Sequence, residues 1–242
     1  PYLCTMVVLC DPHTLRFASY NIRKAKGLDR KRDPQRILQV INRLEADVVA
    51  LQESDKRLGA RHSALPRNLI EAETGFDVLP VANNDISLGW HGNAVLLRKG
   101  IAVKNVERID LPGMEPRGAV RFELALAQPV VVIGTQRGLS RRHRPSQLEL
   151  LAKSISPASD AIILGDFNEW SHNRGQEPLA AAFTVLSPGR TYHAARPIAT
   201  LDRIAHTVEI AVTGAGVEQE KLARRASEHL PVWADRRLPI AA

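Results

Sequence analysis

Two short segments of the sequence place carboxylates directly after apolar runs. Residues 161–164 are apolar, too few for a helix, and precede Asp166 and Asn168, while the apolar residues 48–51 precede Glu53. Asp and Asn are poor strand formers, and ligands bind at the carboxyl ends of strands in open α/β architectures. Oxygen-bearing side chains in such positions suit a divalent cation or proton transfer, although an Asx turn that closes a strand gives the same local pattern.

Further elements are predicted in the first part of the chain. Residues 15–21 alternate like a strand and end at Asn21. Residues 33–44 carry apolar side chains at helical spacing, with Asp33 as the predicted N-cap and Pro34 at the first helical position. The helix therefore lies between two strands that both end in polar side chains.

The second half of the chain repeats this pattern. Asp202 lies between apolar neighbours in residues 200–204, and His229 opens a last predicted strand. An imidazole that pairs with a carboxylate is held in one orientation and its charged form is favoured. Asp202 and His229 are therefore candidates for such a pair, although a lone histidine in a loop is more often structural.

Seven segments of the sequence carry a further signal through their order: residues 19–23, 51–53, 92–96, 116–119, 165–168, 201–204 and 227–231. In this set and order the chain resembles the endonuclease/exonuclease/phosphatase superfamily of metal-dependent phosphoesterases. The resemblance implies an α/β fold of the DNase I-like type, a four-layer α/β/β/α sandwich in which two packed mixed sheets are flanked by helices. We predict an N-terminal extension over residues 1–14 and a single domain of this kind over residues 15–242.

The resemblance also implies a metal cofactor. The expected reaction is hydrolysis of a phosphodiester by in-line attack of an activated water, with Mg²⁺ as the cofactor and Mn²⁺ as an alternative. Glu53 is the main expected metal ligand, with Asn21 beside it. Glu228, where many family members carry Asp, is expected either to support the metal or to hydrogen-bond within its loop.

Four residues are implied as catalytic. Asp166 is expected to orient or deprotonate the attacking water, and Asn168 to donate a neutral hydrogen bond to the phosphate. His229, paired with Asp202, is expected to present a cationic donor to the phosphoryl oxygen.

One of the residues expected to bind substrate departs from the family pattern. Asn93 and Arg117 lie in family-like motifs and are expected to contact substrate or to brace the loops. After the apolar residues 130–133, many members have a histidine that reaches the phosphate, whereas this chain has Gln136 followed by Arg137. Glutamine carries no charge, so either Arg137 compensates or catalysis is weakened.

The composition of the chain is basic. Its 242 residues include 33 Lys and Arg against 26 Asp and Glu, which gives a net charge of +7, and a hydrophobic content of 44% is sufficient for a substantial core. A basic surface attracts phosphate-bearing substrates. Residues 30–32 and 137–144 are the basic clusters; each is also typical of a solvated loop, and the second is the better candidate for substrate contact.

The cysteine content indicates a reducing compartment. Cys4 and Cys10 have no spacing that suggests a zinc site. We therefore predict a cytoplasmic protein without a signal peptide or membrane span.

Two classes of function stay open. The first is a Mg²⁺-dependent phosphodiesterase that acts on nucleic acid or another phosphodiester, with a phospholipid or a small phosphoester as alternative substrates. The second is a catalytically impaired relative that binds phosphate or nucleic acid. Gln136 favours the second class, whereas the joint presence of the expected metal ligand and catalytic residues favours the first.

Overall fold

The computed structural model describes residues 14–57, 59–171 and 174–237, which form two mixed six-stranded sheets. In chain order the strands are β1 Thr14–Asn21, β2 Val48–Gln52, β3 Phe76–Val78, β4 Ala94–Arg98, β5 Val103–Leu111, β6 Arg117–Leu124, β7 Val130–Gln136, β8 Asp160–Asp166, β9 Phe183–Leu186, β10 Asp202–Thr207, β11 Val212–Val217 and β12 Val232–Arg237. The strand order is β11, β12, β1, β2, β4, β3 in the first sheet and β5, β6, β7, β8, β10, β9 in the second. In each sheet one pair is parallel, β1 with β2 and β7 with β8, and the other pairs are antiparallel.

The α-helices formed by the described residues cover the outer faces of the two sheets. They are α1 Pro34–Arg43, α2 Arg67–Glu73, α3 Arg144–Lys153 and α4 Lys221–Ala226. Buried side chains of α1, α2 and α4 pack in one cluster with the first sheet, and those of α3 pack with the second. None of these helices is long and apolar enough to cross a membrane.

The inner faces of the two sheets pack against each other. Phe17 and Val48 from the first sheet and Phe122 and Ile162 from the second belong to one buried cluster. Because side chains alternate between the faces of a strand, each sheet supplies one row to this inner core and another to the helical layer. The result is a four-layer sandwich, which confirms the predicted fold class.

The helix predicted over residues 33–44 is confirmed as α1. Asp33 is its N-cap and accepts a hydrogen bond from the backbone N–H of Arg36 at 3.0 Å, with Pro34 at the first position. A parallel strand pair needs a crossover connection, and α1 supplies it between β1 and β2. The carboxyl ends of these two strands therefore lie side by side.

The start of the first sheet bears on the predicted domain boundary. β1 begins at Thr14, one residue before the expected start of the domain. Residues 1–13, which include Cys4 and Cys10, lie outside the described residues. The division into an extension over residues 1–14 and a single domain over residues 15–242 stays a prediction.

Candidate active site

Strand register brings the predicted acids of the second sheet together. The parallel pairing of β7 with β8 places Gln136 opposite Asp166, and the antiparallel pairing of β8 with β10 places Asp166 opposite Asp202. Asp166 is the last residue of β8 and Asp202 is the first residue of the neighbouring antiparallel strand β10, so both lie at one edge of the sheet. Their proximity follows from main-chain pairing, although 36 residues separate them in the chain.

The first sheet supplies the imidazole. β12 runs antiparallel to β1 and begins near the end of that strand, so His229, just before β12, lies at the same edge as Asn21. Its Nδ1 is 2.9 Å from Oδ2 of Asp202, and both side chains are buried. Burial favours the neutral ring, but the charges of Asp202 and Asp166 outweigh it and raise the pKa of His229 to about 9. The ring is therefore cationic at neutral pH.

Asp166 is surrounded by neutral donors. Its Oδ2 accepts hydrogen bonds from Nδ2 of Asn21 at 3.0 Å and from Nε2 of Gln136 at 3.3 Å, and its Oδ1 accepts from the backbone N–H of Asn168 at 2.9 Å. Burial raises the pKa of Asp166; the charge of His229 lowers it, and that of Asp202 adds to the rise. Raising the pKa of a carboxylate makes it a stronger base, so this environment suits proton transfer.

Glu53 lies at the more open side of the group. It follows β2 with φ of 53°, a left-handed conformation that turns the chain sharply after the strand. Its carboxylate pairs with the Lys24 ammonium and accepts a hydrogen bond from Nε2 of Gln136 at 3.3 Å. Burial disfavours the charged carboxylate, but Lys24 and Gln136 outweigh burial and lower the pKa of Glu53.

Gln136 connects the two carboxylates to Arg117. Its Nε2 lies 3.3 Å from an oxygen of Glu53 and 3.3 Å from an oxygen of Asp166, and its Oε1 accepts from Nη1 of Arg117 at 2.6 Å. Arg117 also pairs with Glu115 at 2.8 Å. Gln136 and Arg117 thus belong to the group of residues that the structure brings together, although the guanidinium already has an anionic partner.

Asn93 contacts Gly118, the residue that follows Arg117. Its Nδ2 donates to the backbone oxygen of Gly118 at 2.9 Å, while its Oδ1 is buried without a hydrogen-bond partner. The contact joins the loop before β4 to the start of β6, so the side chain braces the two sheets against each other.

Asn168 and Arg137 lie further from the carboxylates. The Nδ2 of Asn168 donates to the backbone oxygen of Arg137 at 2.8 Å, so only its backbone N–H contacts Asp166. Arg137 follows Gln136 and points to the opposite face of β7, where it is fully buried and donates to the backbone oxygen of Gly175. The structure does not bring the guanidinium of Arg137 to the carboxylate group.

Glu228 is also held apart from this group. Its carboxylate pairs with Arg23 at 2.6 Å and lies 3.8 Å from Nε2 of His193. The neighbouring residue His229 contacts Asp202, whereas the carboxylate of Glu228 faces Arg23.

Several residues near the group were missed by sequence reasoning. Lys24 lies three residues after Asn21, and that proximity is the only sequence signal for it. The ring of Tyr192 lies 5.0 Å from that of His229, and nothing in its sequence surroundings indicates this. Beside Glu53 a cleft of about 160 Å³ is lined by side chains that carried no motif: Lys56, Arg57 and Arg61.

The donor atoms of the group fit a divalent cation. Glu53 and Asp166 both lie within hydrogen-bond distance of one amide nitrogen, and Glu53 already faces a positive charge in Lys24. Ligand atoms of Asp166, Asp202 and His229 also lie within 4.8 Å of one another. Hard cations prefer oxygen ligands, however, so the oxygen donors near Glu53 suit such a cation better.

Comparison with known proteins identifies the family. The model of the Endonuclease/Exonuclease/phosphatase family matches residues 18–229, a range that contains all the site residues described above. The chain belongs to this family. Its members are hydrolases that act on phosphoester bonds, and the family is usually dependent on divalent metal.

Individual relatives agree with this assignment. The protein YbhP of Escherichia coli (strain K12), described as uncharacterized, is 26% identical over 219 residues, which cover 81% of this chain and 85% of that protein. The crystal structure of an endonuclease/exonuclease/phosphatase from Beutenbergia cavernae has a TM-score of 0.72 at 22% identity and covers 95% of this chain and 74% of that one. A mannosyl-6-phosphatase of Bacteroides thetaiotaomicron has a TM-score of 0.71 at 17% identity, with 91% and 98% coverage. At these identities the solved structures establish the shared fold.

Proposed function

We propose that this family member is a Mg²⁺-dependent phosphodiesterase that activates a water for in-line attack on phosphorus, with Mn²⁺ as an alternative metal. The observation that carries the proposal is the position of Asp166, between the cationic His229 and the neutral amides of Asn21 and Gln136. A buried base next to a buried cation can deprotonate water while the neighbouring charge stabilises the phosphoryl oxygens. Only two cysteines occur in the chain, and a cytoplasmic location is part of the same proposal.

Glu53 and Asn21 are the proposed metal-binding residues. Glu53 is partly exposed and its lowered pKa keeps it ionised, while Lys24 holds the carboxylate in place. When bound there, Mg²⁺ would neutralise charge on the phosphoryl oxygens. Lys24 contacts Oε2 of Glu53, which leaves Oε1, the oxygen that faces Gln136, for the metal.

Asp166 is the proposed general base. Its Oδ1 accepts a single backbone hydrogen bond, and its Oδ2 is held by two neutral amides, so the carboxylate is oriented without a strong cationic hydrogen bond. Such a carboxylate keeps more basicity than one that pairs directly with arginine. Asn168 contributes through its backbone N–H, which fixes the orientation of Asp166.

His229 is the proposed cationic donor to a phosphoryl oxygen. Asp202 accepts from Nδ1, which leaves Nε2 to donate to the substrate. Asp202 therefore acts as the residue that orients and charges the ring. Gln136, which is held by Arg117, is proposed to keep Glu53 and Asp166 at a fixed separation. It is also proposed to contact the phosphate of the substrate.

Hydrolysis assays with and without Mg²⁺ test this proposal. Bis(p-nitrophenyl) phosphate, plasmid DNA and phospholipid vesicles serve as substrates, with metal removed by a chelator as the reference. We expect metal-dependent hydrolysis of at least the first substrate and a loss of about 10²- to 10⁴-fold in Asp166→Asn. The exposed His62→Gln variant is the control for His229→Gln. Binding of phosphate without turnover of any substrate would instead support the catalytically impaired alternative.

A further inference from the structure

The cleft beside Glu53 is continuous with the reaction centre but distinct from it. Glu53 and Gln136 line it, whereas Asp166, Asp202 and His229 do not. Its far wall is formed by His91 and Gly92 of the loop before β4 and by four residues of the loop after Glu53: Asp55, Lys56, Arg57 and Arg61. A phosphate held between Glu53 and Asp166 would lie next to this cleft, because Glu53 and Gln136 border both.

Three of the cations that line this cleft have no close carboxylate partner among the described residues. Arg57 has only a loose contact of 3.9 Å with Glu53, and its side chain is 62% exposed. Lys56 and Arg61 have no carboxylate within ion-pair distance in the described part of the chain. The other lining cations, Lys24 and Arg117, are each neutralised by an acid.

The acid that begins this loop, Asp55, forms no ion pair with the three cations among the described residues. Asp55 is buried and its two oxygens accept from the backbone N–H groups of Leu88 at 2.7 Å and Gly89 at 3.1 Å. The carboxylate of Asp55 therefore fixes the start of this loop to the loop before β4. The cleft as a whole carries more positive than negative side chains.

One of the three cations is held in position. The Nη1 of Arg61 lies 3.1 Å from Nδ1 of His91, and Nε2 of His91 lies 3.1 Å from Asp110. Burial and the charge of Arg61 lower the pKa of His91, so the ring is neutral and its Nδ1 accepts from Arg61 while its Nε2–H donates to Asp110. The guanidinium is thus oriented before any ligand arrives, which lowers the entropic cost of binding an anion.

We infer that the substrate carries a second phosphate group next to the scissile one, and that Lys56, Arg57 and Arg61 bind it in the cleft beside Glu53. This inference rests on the proposed phosphodiesterase function and narrows its substrate class. Guanidinium and ammonium groups that converge on a partly enclosed cleft match the charge and the several acceptor oxygens of a phosphate. The second phosphate belongs either to a compact diphosphate or to the next nucleotide of a nucleic-acid strand.

Calorimetric titration without metal tests the inference independently of turnover. The probes are inorganic phosphate, methylenediphosphonate and a single-stranded thymidine tetranucleotide. We expect the wild type to bind one of the two larger probes about tenfold or more tightly than phosphate, and Arg57→Ser and Arg61→Ser each to lose most of that difference. If these variants lose affinity for methylenediphosphonate, the substrate contains a compact diphosphate. If they lose affinity only for the tetranucleotide, the substrate is a nucleic-acid strand.

Arg43→Ser is the matched control. Arg43 is similarly exposed at 53%, contacts a carboxylate at a similar 3.7 Å, and lies at the end of α1, away from the cleft. Arg57→Lys keeps the charge and should keep most of the preference, and thermal melts report whether each variant folds. The inference is overturned if phosphate binds as tightly as both larger probes, or if the cleft variants behave like Arg43→Ser. Failure of the proposed function would appear separately, as absence of metal-dependent hydrolysis by the wild type.

Discussion

The surroundings of Gln136 explain how a neutral side chain fills the position where the family resemblance led us to expect histidine. The amide uses both of its ends, because it donates to Glu53 and Asp166 and accepts from Arg117. A protonated histidine has no acceptor for Arg117 and would add a positive charge beside it. The chain therefore presents a neutral bridge between the two carboxylates here, and the cation nearest Asp202 is His229.

Substitutions of the adjacent residues Gln136 and Arg137 are expected to differ in their effect on the hydrolysis rate. Gln136→Met removes the bridge between the carboxylates, so we expect a rate reduction of about tenfold or more with little change in the melting temperature. Arg137→Met should leave the chemistry intact, because the guanidinium lies on the opposite face of β7. Hydrolysis rates and melts measured on both variants check this, and a large rate loss in folded Arg137→Met would place that residue in the site after all.

Two glutamates are expected to differ in metal affinity. Glu53→Gln removes the negative charge of the main proposed metal ligand. Calorimetric titration of Mg²⁺ or Mn²⁺ should therefore show a large loss of metal affinity. Glu228→Gln is the matched control, because that carboxylate pairs with Arg23 away from the group. Equal affinities in the wild type and Glu53→Gln would remove Glu53 from the metal site.

The raised pKa of His229 predicts a pH-dependent contribution to stability. The folded value of about 9 lies above the ordinary 6.5, so the charged ring stabilises the folded state fully below about pH 6.5, and this contribution is lost as the pH rises through about 9. The shift corresponds to roughly 3 kcal/mol at most. Urea unfolding of the wild type and of His229→Gln across this range should show a stability difference that shrinks with rising pH. A constant difference would contradict the assignment.

At the level of elements, the spacing of β7 and β8 sets the distance between Gln136 and Asp166. The parallel register pairs Thr135 with Gly165 directly before them. A Cβ atom at Gly165 would lie 1.8 Å from the backbone oxygen of Thr135, which is far inside van der Waals contact. Glycine is therefore required at this point for the two strands to bring their terminal side chains together.

Gly165→Ala is expected to disturb both stability and the site. Because the added methyl group meets backbone rather than a mobile side chain, the strands must separate, and we expect a loss of about 1–3 kcal/mol in the free energy of unfolding together with lower activity. Gly75→Ala is the control, since nothing lies within 4 Å of its Cβ position. Urea unfolding and hydrolysis assays compare the two, and equal stabilities would mean that β7 and β8 accommodate the methyl group without strain.

At the level of the whole molecule, the site exists only where the two sheets meet. Asn21, Glu53 and His229 come from the first sheet, and Gln136 and Asp166 from the second. A hydrogen bond of 3.0 Å between Asn21 and Asp166 crosses from one sheet to the other. The packing of the inner core therefore controls the geometry of the proposed chemistry.

Truncation of the inner core should weaken the sandwich as a whole. Phe122 is fully buried between the sheets, so Phe122→Ala should lower the free energy of unfolding by about 3–5 kcal/mol. Ile86→Ala, at a residue 43% exposed, is the control and should change it little. Chemical denaturation measures both. A small effect of Phe122→Ala would show that the two sheets are held together mainly by other contacts.

Local patterns in the sequence were sufficient to predict several parts of this protein. The apolar spacing and Asp33 predicted α1, and the polar residues after short apolar runs marked Asn21, Glu53 and Asp166 as strand ends. These patterns depend only on residues that are close together in the sequence, so they can be recognised without knowledge of the fold. The order of the motifs then indicated the family and, through it, the sandwich.

Only the tertiary structure decided which of these side chains face one another. It turns Glu228 toward Arg23, and it sends Gln136 to the inner face of β7 while Arg137 is buried on the opposite face. Alternation along a strand is visible in the sequence, but the face that becomes the inner one depends on how distant strands pair and pack. The cationic cleft arises in the same way, because its walls come from loops that meet only when the two sheets close on each other.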